Sequence, residues 1–208
     1  MNYVNDLIER YSSLKDIKND VNAAVAAVVD TYRAGGKILL CGNGGSAADC
    51  EHVAGELLKG FMLRRESRGD ELSRLKEALG DKAGMLQQGI AAIPLPSISG
   101  AVTAFANDVD PPLVFAQMVY ALGRDTDLLI AFSTSGNSEN VVSAVKCAGA
   151  LGIKTLSLTG ASGGRLAEIS DICIRVPESE TYKIQEYHLP VYHAICAEAE
   201  RILFGKGE

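Results

Sequence analysis

The chain has 208 residues, of which 47% are hydrophobic and 22% are charged, and its formal net charge is -6. This length and composition are typical of an ordinary globular protein, so we predict one domain over residues 1–208. The negative charge argues against a nucleic-acid-binding surface, and no apolar run is long enough for a membrane-spanning helix. We therefore expect neither nucleic acid nor a membrane among its partners.

The cysteines and the first residues bear on location. The five cysteines are scattered, odd in number and mostly inside apolar runs, and no CxxC pair occurs. This usage favours reduced, buried thiols over a disulfide framework or a thiolate-zinc site. The opening stretch, MNYVNDLIERYSSLKD, contains acids and lacks the apolar core of a signal peptide. We expect a cytoplasmic protein.

Apolar runs alternate with helical patterns along most of the chain. Strands are predicted at KILLCG (37–42), IAAIPLP (90–96), DLLIAFS (127–133), KTLSLTG (154–160) and DICIRVP (171–177). Helices are predicted at 16–34, 46–58, 102–106, 113–122, 138–152, 165–170 and 186–204. Continuous apolar strands that alternate with helices indicate a parallel sheet covered on both faces, which is a three-layer α/β sandwich.

Two regions lie outside this alternation. N-terminal helices within 1–34 precede the first strand, and the apolar stripe of the helix from Asp16 to Ala34 could pack against a partner subunit. Residues 62–89 form a charged insertion between a helix and a strand, with a short amphipathic helix at Leu72, Leu75 and Leu79. Connections of this length are usually functional or mobile, so the insertion is either a solvated segment or a lid.

Small polar residues follow four of the predicted strands. The loops are GNGGS, STSGNS, TGASGG and PESET. Ligands of parallel α/β sheets bind at the carboxyl ends of the strands, where backbone N–H groups and helix N-termini can receive an anion. STSGNS is the best candidate, because Ser133, Thr134, Ser135 and Ser138 offer four hydroxyls. The alternative is that these are ordinary turns and that Ser138 is an ordinary helix N-cap.

Titratable residues gather in two segments. His52 and Glu56 lie four apart on one predicted helix face, and Asp49 lies one turn earlier. The segment IQEYHLPVYH holds the other two histidines, His188 and His193. A surface ion pair is the alternative for the first segment, and a structural role is the default for His188.

Four motifs in order resemble those of the sugar isomerase (SIS) domain family: GNGGSAADxxHxAGE, STSGxSxN, TGxxGG and TxKIQExH…H. The resemblance covers nearly the whole chain except residues 62–89, and within the family it is strongest to the phosphoheptose isomerase branch. It implies a flavodoxin-like fold with a central parallel five-stranded sheet. It also implies a homotetramer whose sites are completed by neighbouring chains.

The same resemblance implies roles for individual residues. His52, Glu56, Gln185 and His193 match the metal or catalytic cluster, and their donor atoms suit one Zn²⁺ per subunit. We assign Glu56 as the catalytic base and His193 as its acid/base partner. The predicted substrate-binding residues are Asn43, Gly44, Gly45, Ser46, Asp49, Glu56, Asn107, Asp108, Ser133, Thr134, Ser135, Ser138 and Gln185.

The implied activity is an aldose–ketose isomerisation of a sugar phosphate. The expected reaction converts sedoheptulose 7-phosphate to D-glycero-D-manno-heptose 7-phosphate through a cis-enediol, a step towards heptose or lipopolysaccharide biosynthesis. Two alternatives stay open: a non-catalytic SIS module for binding or assembly, and an isomerase of another sugar phosphate. The presence of all four residues His52, Glu56, Gln185 and His193 favours an enzyme.

Two departures from the family pattern affect these expectations. Gly60 stands where the family usually has an arginine, so Lys59, Arg64 or Arg65 would have to supply the charge. Pro190 lies between Gln185 and His193, and proline is normally tolerated only in the first turn of a helix or at a kink. We therefore expect the last helix to start late or to bend there.

Overall fold

The computed structural model describes residues 2–67 and 69–205. Its helices are α1 (Tyr3–Arg10), α2 (Lys18–Arg33), α3 (Gly45–Leu58), α4 (Gly69–Leu79), α5 (Ser99–Asp108), α6 (Val114–Leu122), α7 (Glu139–Ala150), α8 (Leu166–Ile169) and α9 (Thr181–Phe204). Its strands are β1 (Ile38–Cys41), β2 (Ala92–Pro94), β3 (Leu128–Phe132), β4 (Lys154–Thr159) and β5 (Ile172–Arg175). Short 3₁₀ turns cover Ser12–Ile17, Gly80–Met85, Leu95–Ser97 and Pro111–Leu113. Residues 1, 68 and 206–208 of the predicted domain lie outside the described residues.

Within the described residues the five strands form one parallel sheet in the order β2-β1-β3-β4-β5. This is the strand order of flavodoxin-like folds, in which ligands bind where the order of connection reverses, here beside β1 and β3. Strand β2 lies at the edge, where the missing N–H of Pro94 is tolerated. The predicted three-layer α/β fold with a parallel five-stranded sheet is confirmed.

Two apolar cores cover the two faces of the sheet because the side chains of each strand alternate between them. Leu40 and Ile130 point to one face, where they pack with α1, α2, α3 and α9. Leu39 and Leu129 point to the other face, where they pack with α6 and α7. The two faces therefore carry different helices, and α3 and α9 share one of them.

The N-terminal helices differ from the expectation in one respect. The predicted apolar stripe of α2 (Val21, Ala24, Val25, Val28 and Val29) is buried within the chain itself. It packs in the same core as α9, so it is not available to a partner subunit. The stripe therefore gives no support to an oligomer, because the core of the chain already covers it.

The prediction that the last helix begins near Glu186 is wrong. Helix α9 begins at Thr181 and continues through Pro190. The proline deprives the Glu186 carbonyl of its helical N–H donor. Burial on both sides of it, from Ile184 to Ala199, holds the helix together across that gap.

The charged insertion is an arm that leaves α3 and returns to β2. Its two ends pair: Glu66 and Gln87 form an antiparallel bridge, and the N–H of Gln88 donates to the Arg65 carbonyl at 2.7 Å. The amphipathic pattern correctly predicted a helix, α4, whose described residues are all exposed or half-buried. No helix within the described residues combines the length and the apolar character needed to cross a membrane.

Candidate functional site

The glycine loop between β1 and α3 forms one part of the site. Gly44 has φ +55 and ψ -122, a conformation that side-chain-bearing residues rarely adopt. Gly45 opens α3 and lies against Gln185 of α9: a Cβ atom on Gly45 would be 2.7 Å from Gln185 Nε2. Asn43 is exposed beside them, whereas Ser46 is buried. The glycines therefore allow the Gln185 amide to lie at the first turn of α3.

The STSGNS loop between β3 and α7 forms a second part. Ser133 Oγ donates to Ser138 Oγ at 3.0 Å, so the Ser138 hydroxyl is engaged there and does not cap α7. Ser135 Oγ accepts the Asn137 N–H at 3.2 Å, and Thr134 is half-buried. Hydroxyl and N–H groups therefore cluster at the N-terminus of a twelve-residue helix. This arrangement suits a phosphate.

An amide pair joins the glycine loop to the first turn of α7, directly after the STSGNS loop. Asn43 Nδ2 donates to Asn140 Oδ1, and Asn140 Nδ2 donates back to Asn43 Oδ1, both at 2.9 Å. The two loops therefore lie side by side, as expected for the carboxyl ends of the adjacent strands β1 and β3. Sequence reasoning gave Asn140 no role, although the residue is part of the STSGxSxN motif.

Helices α3 and α9 bring three titratable side chains together. His52 Nε2 lies 3.2 Å from His193 Nε2 and 3.3 Å from Glu56 Oε1. One ligand atom from each of the three residues lies within 4.8 Å of the others. Glu56 and His193 are half-buried and His52 is exposed, so the cluster is both shielded and reachable. The predicted i, i+4 pair is thus joined by His193 from 141 residues away.

The spacing of this cluster suits a metal ion. Four ligands at 2.0–2.1 Å in a tetrahedron stand about 3.3 Å apart, which matches the separations of His52 from its two neighbours. Two imidazoles and a carboxylate form a donor set that zinc prefers, and three protein ligands leave a fourth position for substrate or another ligand. The described residues therefore include a group that could hold one metal ion.

Tyr192 and Asp49 support the cluster from behind. The Tyr192 hydroxyl donates to Asp49 Oδ1 at 3.3 Å and lies 3.0 Å from His52 Nδ1. Burial and the nearby Asp49 carboxylate raise the pKa of Tyr192, so the phenol stays protonated. Burial also raises the pKa of Asp49 and lowers that of His193, which His52 lowers further. A neutral His193 suits both metal binding and acceptance of a proton.

Gln185 lies on α9 beside the glycine loop. It contacts Gly45, while His193 is eight residues further along the same helix, which is about 12 Å of helix rise. Asp49 accepts a hydrogen bond from the Tyr192 hydroxyl at 3.3 Å.

Asn107 and Asp108 lie at the end of α5, on the sheet face opposite to α3 and α9. Asn107 Nδ2 donates to Asp108 Oδ1 at 2.8 Å, and both residues are exposed. Asp108 also lines an apolar groove of about 440 Å³ between α5 and α6. Within one chain these two predicted substrate residues are therefore separated by the sheet from the α3–α9 cluster.

His188 occupies a structural position, in agreement with the default interpretation. Its side chain is fully buried, its ring packs against Phe132, and its Nε2 lies 3.3 Å from the Thr159 carbonyl. Burial lowers its pKa to about 4, so the ring is neutral near pH 7.

The three candidate cations near Gly60 differ in their surroundings. Lys59 Nζ lies 3.4 Å from Glu56 Oε2 and is largely exposed. Arg64 donates to the Gly84 carbonyl at 2.8 Å, on the arm. Arg65 is fully buried and pairs with Glu200 at 2.7 Å. Lys59 is therefore the one of the three whose charged group contacts the Glu56 carboxylate.

Comparison with known proteins agrees with this architecture. Two family models described as SIS domain match residues 2–73 and 100–197. A phosphoheptose isomerase from Roseiflexus sp. (strain RS-1) is 42% identical over 182 residues, which is 88% of this chain and 81% of that protein. One from Helicobacter pylori (strain P12) is 40% identical over 91% of this chain and 87% of that protein.

Solved structures give the same result. The phosphoheptose isomerase GmhA from Neisseria gonorrhoeae matches with a TM-score of 0.75 and 34% identity, covering 94% of this chain and 93% of that one. A phosphoheptose isomerase from Francisella tularensis matches with a TM-score of 0.75 and 30% identity, over 96% and 95% of the two chains. Taken with the fold and the paired loops, these similarities show that the chain belongs to the SIS domain family, in its phosphoheptose isomerase branch.

Proposed function

We propose that this protein interconverts sedoheptulose 7-phosphate and D-glycero-D-manno-heptose 7-phosphate as an aldose–ketose isomerase. The observation that carries the proposal is the convergence of His52, Glu56 and His193 between α3 and α9. Helix α3 begins at a glycine loop that is hydrogen-bonded to the first turn of α7, directly after a second loop suited to phosphate. An isomerase of a sugar phosphate needs both parts: one to hold the phosphate and one to move a proton between adjacent carbons.

In the proposed reaction the phosphate binds the STSGNS loop, and this binding energy orients the reacting carbons. Glu56 removes the proton from C1 of the ketose, giving a cis-enediol, and returns it to C2. His193 moves the hydroxyl proton from O1 to O2, for which a neutral imidazole is required at the start. Lys59, beside the Glu56 carboxylate, supplies positive charge near the developing enediolate.

We further propose that His52, Glu56 and His193 hold one zinc ion per subunit. The spacing and the donor set support this. Zinc, when bound, would polarise the carbonyl and hydroxyl oxygens of the sugar. Gln185 stays a predicted fourth ligand. Its contact with Gly45 equally supports a role in holding the sugar between the glycine loop and the cluster.

We also propose that the protein is a cytoplasmic homotetramer. Each subunit is one SIS domain that spans the whole chain, with residues 62–89 as an insertion. The apolar groove between α5 and α6, with Val109 65% exposed at its rim, supports association of chains there. The Asn107–Asp108 pair on α5 would then complete the site of a neighbouring subunit, since the sheet separates it from the cluster of its own chain. Light scattering tests this: a monomer mass at micromolar protein would refute it.

The function is tested by incubating the purified protein with a panel of ketose phosphates that differ in chain length and in configuration. We expect aldose product from sedoheptulose 7-phosphate and little from five- and six-carbon ketose phosphates. Prolonged chelation should remove most activity, and zinc but not magnesium should restore it. Turnover of a shorter sugar alone would favour an isomerase of another sugar phosphate. The absence of turnover with any sugar would favour a non-catalytic SIS module.

A further inference from the structure

We propose that Tyr192 is a positioning residue that fixes the tautomer of His52. In this arrangement the hydrogen of His52 is on Nδ1, and the lone pair of Nε2 faces Glu56 and His193. The inference rests on the proposed function in one respect: it takes the His52–Glu56–His193 cluster as the reaction centre. Neither the motifs nor the spacing of the sequence assigns Tyr192 a role.

The first support is the position of the phenol. Tyr192 is 3% exposed, and its ring packs edge-on against Phe132 and His193. Its hydroxyl lies between two partners, 3.3 Å from Asp49 Oδ1 and 3.0 Å from His52 Nδ1. The packing of the ring leaves the hydroxyl little freedom, so it bridges these two groups and no others in the described part of the chain.

The second support is a count of hydrogens. A phenol has one hydrogen to donate, and an ionised carboxylate can only accept. Asp49 Oδ2 is buried and has no hydrogen-bond partner within the described residues, so Oδ1 is the oxygen that Tyr192 can satisfy. Donation to Asp49 leaves the phenol oxygen as an acceptor. The short contact to His52 Nδ1 then requires the hydrogen of His52 to be on Nδ1.

The opposite arrangement is worse for Asp49. If Tyr192 donated to His52 Nδ1, both oxygens of the partly buried Asp49 carboxylate would lack a donor among the described residues, and leaving a buried charged acceptor without one is costly. It would also put a hydrogen on His52 Nε2, between His52 and the other members of the cluster. A ring nitrogen that carries a hydrogen cannot bind a metal or accept a proton. The bridge therefore keeps His52 in the state that the centre needs.

The direct test is the tautomer of His52 in metal-free protein. Long-range ¹H–¹⁵N correlation spectra distinguish a protonated Nδ1 from a protonated Nε2. We expect wild type to carry the hydrogen on Nδ1, and Tyr192→Phe, which keeps the ring and removes the hydroxyl, to show a mixture. Tyr187→Phe is the matched control: it is on the same helix, and its hydroxyl contacts Ser13 at 3.0 Å. A hydrogen on Nε2 in wild type, or an unchanged tautomer in Tyr192→Phe, would overturn the proposal.

Zinc affinity gives a second readout, measured by competition with a chromophoric chelator. Loss of a hydrogen-bond partner behind a metal-binding histidine typically weakens binding 10- to 100-fold, so Tyr192→Phe should raise the zinc Kd by about that factor. Tyr187→Phe should leave it unchanged. An unchanged Kd in Tyr192→Phe would contradict the link between the tautomer and the metal. The tautomer spectra need neither substrate nor zinc, so this inference can fail while the isomerase function holds, and the reverse.

Discussion

The loops 42–46 and 133–138, which we call the rim, and the α3–α9 cluster are built in opposite ways. The rim consists of short loops at the ends of β1 and β3. The hydroxyl and N–H donors of its second loop lie within six consecutive residues, 133–138. The cluster uses side chains from two helices, and His52 and His193 are 141 residues apart in the chain. The rim contains no group that titrates near neutral pH, whereas the cluster contains a carboxylate and two imidazoles.

In the proposed function this difference separates the positioning of the substrate, at the rim, from proton transfer, at the cluster. Loops at strand ends are held by the sheet, so they can bind a constant group such as phosphate with backbone and hydroxyl donors. Proton transfer instead requires acid and base side chains that contact one another and whose pKa values suit the working pH. The cluster therefore depends on the packing of α9 against α3, and changes that affect this packing or its titratable groups should have larger effects than changes at the rim.

The largest expected effect comes from removing the proposed base, Glu56. Glu56→Gln keeps the shape of the side chain but cannot accept the carbon-bound proton, so kcat should fall by about 100- to 10,000-fold. The measurement is turnover of sedoheptulose 7-phosphate by the folded variant. Glu51→Gln is the control, because Glu51 lies on the same helix but accepts from Ser97 at 2.7 Å, away from the cluster. Near-normal turnover in Glu56→Gln would remove Glu56 from the mechanism.

The next effect tests how the cluster is held in place. Buried Arg65 donates to Glu200, to the Leu57 carbonyl at 2.6 Å and to the Glu56 carbonyl at 3.1 Å, so it fastens the end of α3 to α9. Arg65→Met leaves a buried carboxylate and two carbonyls without this donor. Breaking a buried ion pair on one side typically costs about 3–5 kcal/mol, and we expect a loss of that size in the free energy of unfolding by urea.

A matched exposed pair provides the control for Arg65. Arg165 pairs with Glu139, the first residue of α7, and both side chains are largely exposed to solvent. Arg165→Met should leave the unfolding midpoint close to wild type, because exposed ion pairs contribute little to stability. Equal midpoints for the two variants would show that Arg65 is not the anchor of α3.

The third prediction concerns acid. His188 has a pKa of about 4 in the folded chain, against 6.5 as its ordinary value. Below pH 6.5 the unfolded chain therefore binds a proton that the folded chain does not, and the free energy of unfolding falls as the pH drops towards 4. The contribution is up to about 3 kcal/mol, complete above pH 6.5 and lost near pH 4.

Urea unfolding between pH 7 and pH 4 measures this loss. His193 acts in the same direction, because its pKa is also lowered. The informative quantity is therefore the difference in slope between wild type and His188→Leu. We expect a shallower dependence on pH in the variant. Parallel curves would mean that His188 does not titrate on unfolding in this range.

The sequence predicted the local features of the fold and the site. Continuous apolar runs located all five strands to within a few residues, and the motif STSGNS correctly marked the end of β3. The sequence missed where α9 begins, because proline rules describe isolated helices and not one whose two halves are buried on both sides of Pro190. The expectation that the apolar stripe of α2 packs against a partner subunit was also wrong, since a sequence pattern cannot say which surface covers an apolar face.

The cluster was predicted only in part for a related reason. His52 and Glu56 share a helix face, so their spacing indicated a pair. Tyr192 contacts Asp49 and His52 only because two helices that are far apart in the sequence pack together. No rule of sequence spacing connects these residues. The placement of Gln185 against Gly45, and of Asn107 beyond the sheet, likewise follows from tertiary structure.

The smallest expected effect is at the rim, where many donors would share the phosphate in the proposed mode of binding. Thr134→Val keeps the shape of the side chain and removes one hydroxyl, so substrate binding should weaken by about 1–3 kcal/mol with kcat little changed. The measurement is KM together with the Kd for the sugar phosphate. Thr126→Val is the control, since Thr126 is an exposed residue in the loop before β3, at the opposite end of the strand. A large loss of kcat in Thr134→Val would place the loop in the chemistry itself, and would remove the distinction between a rim that positions and a cluster that reacts.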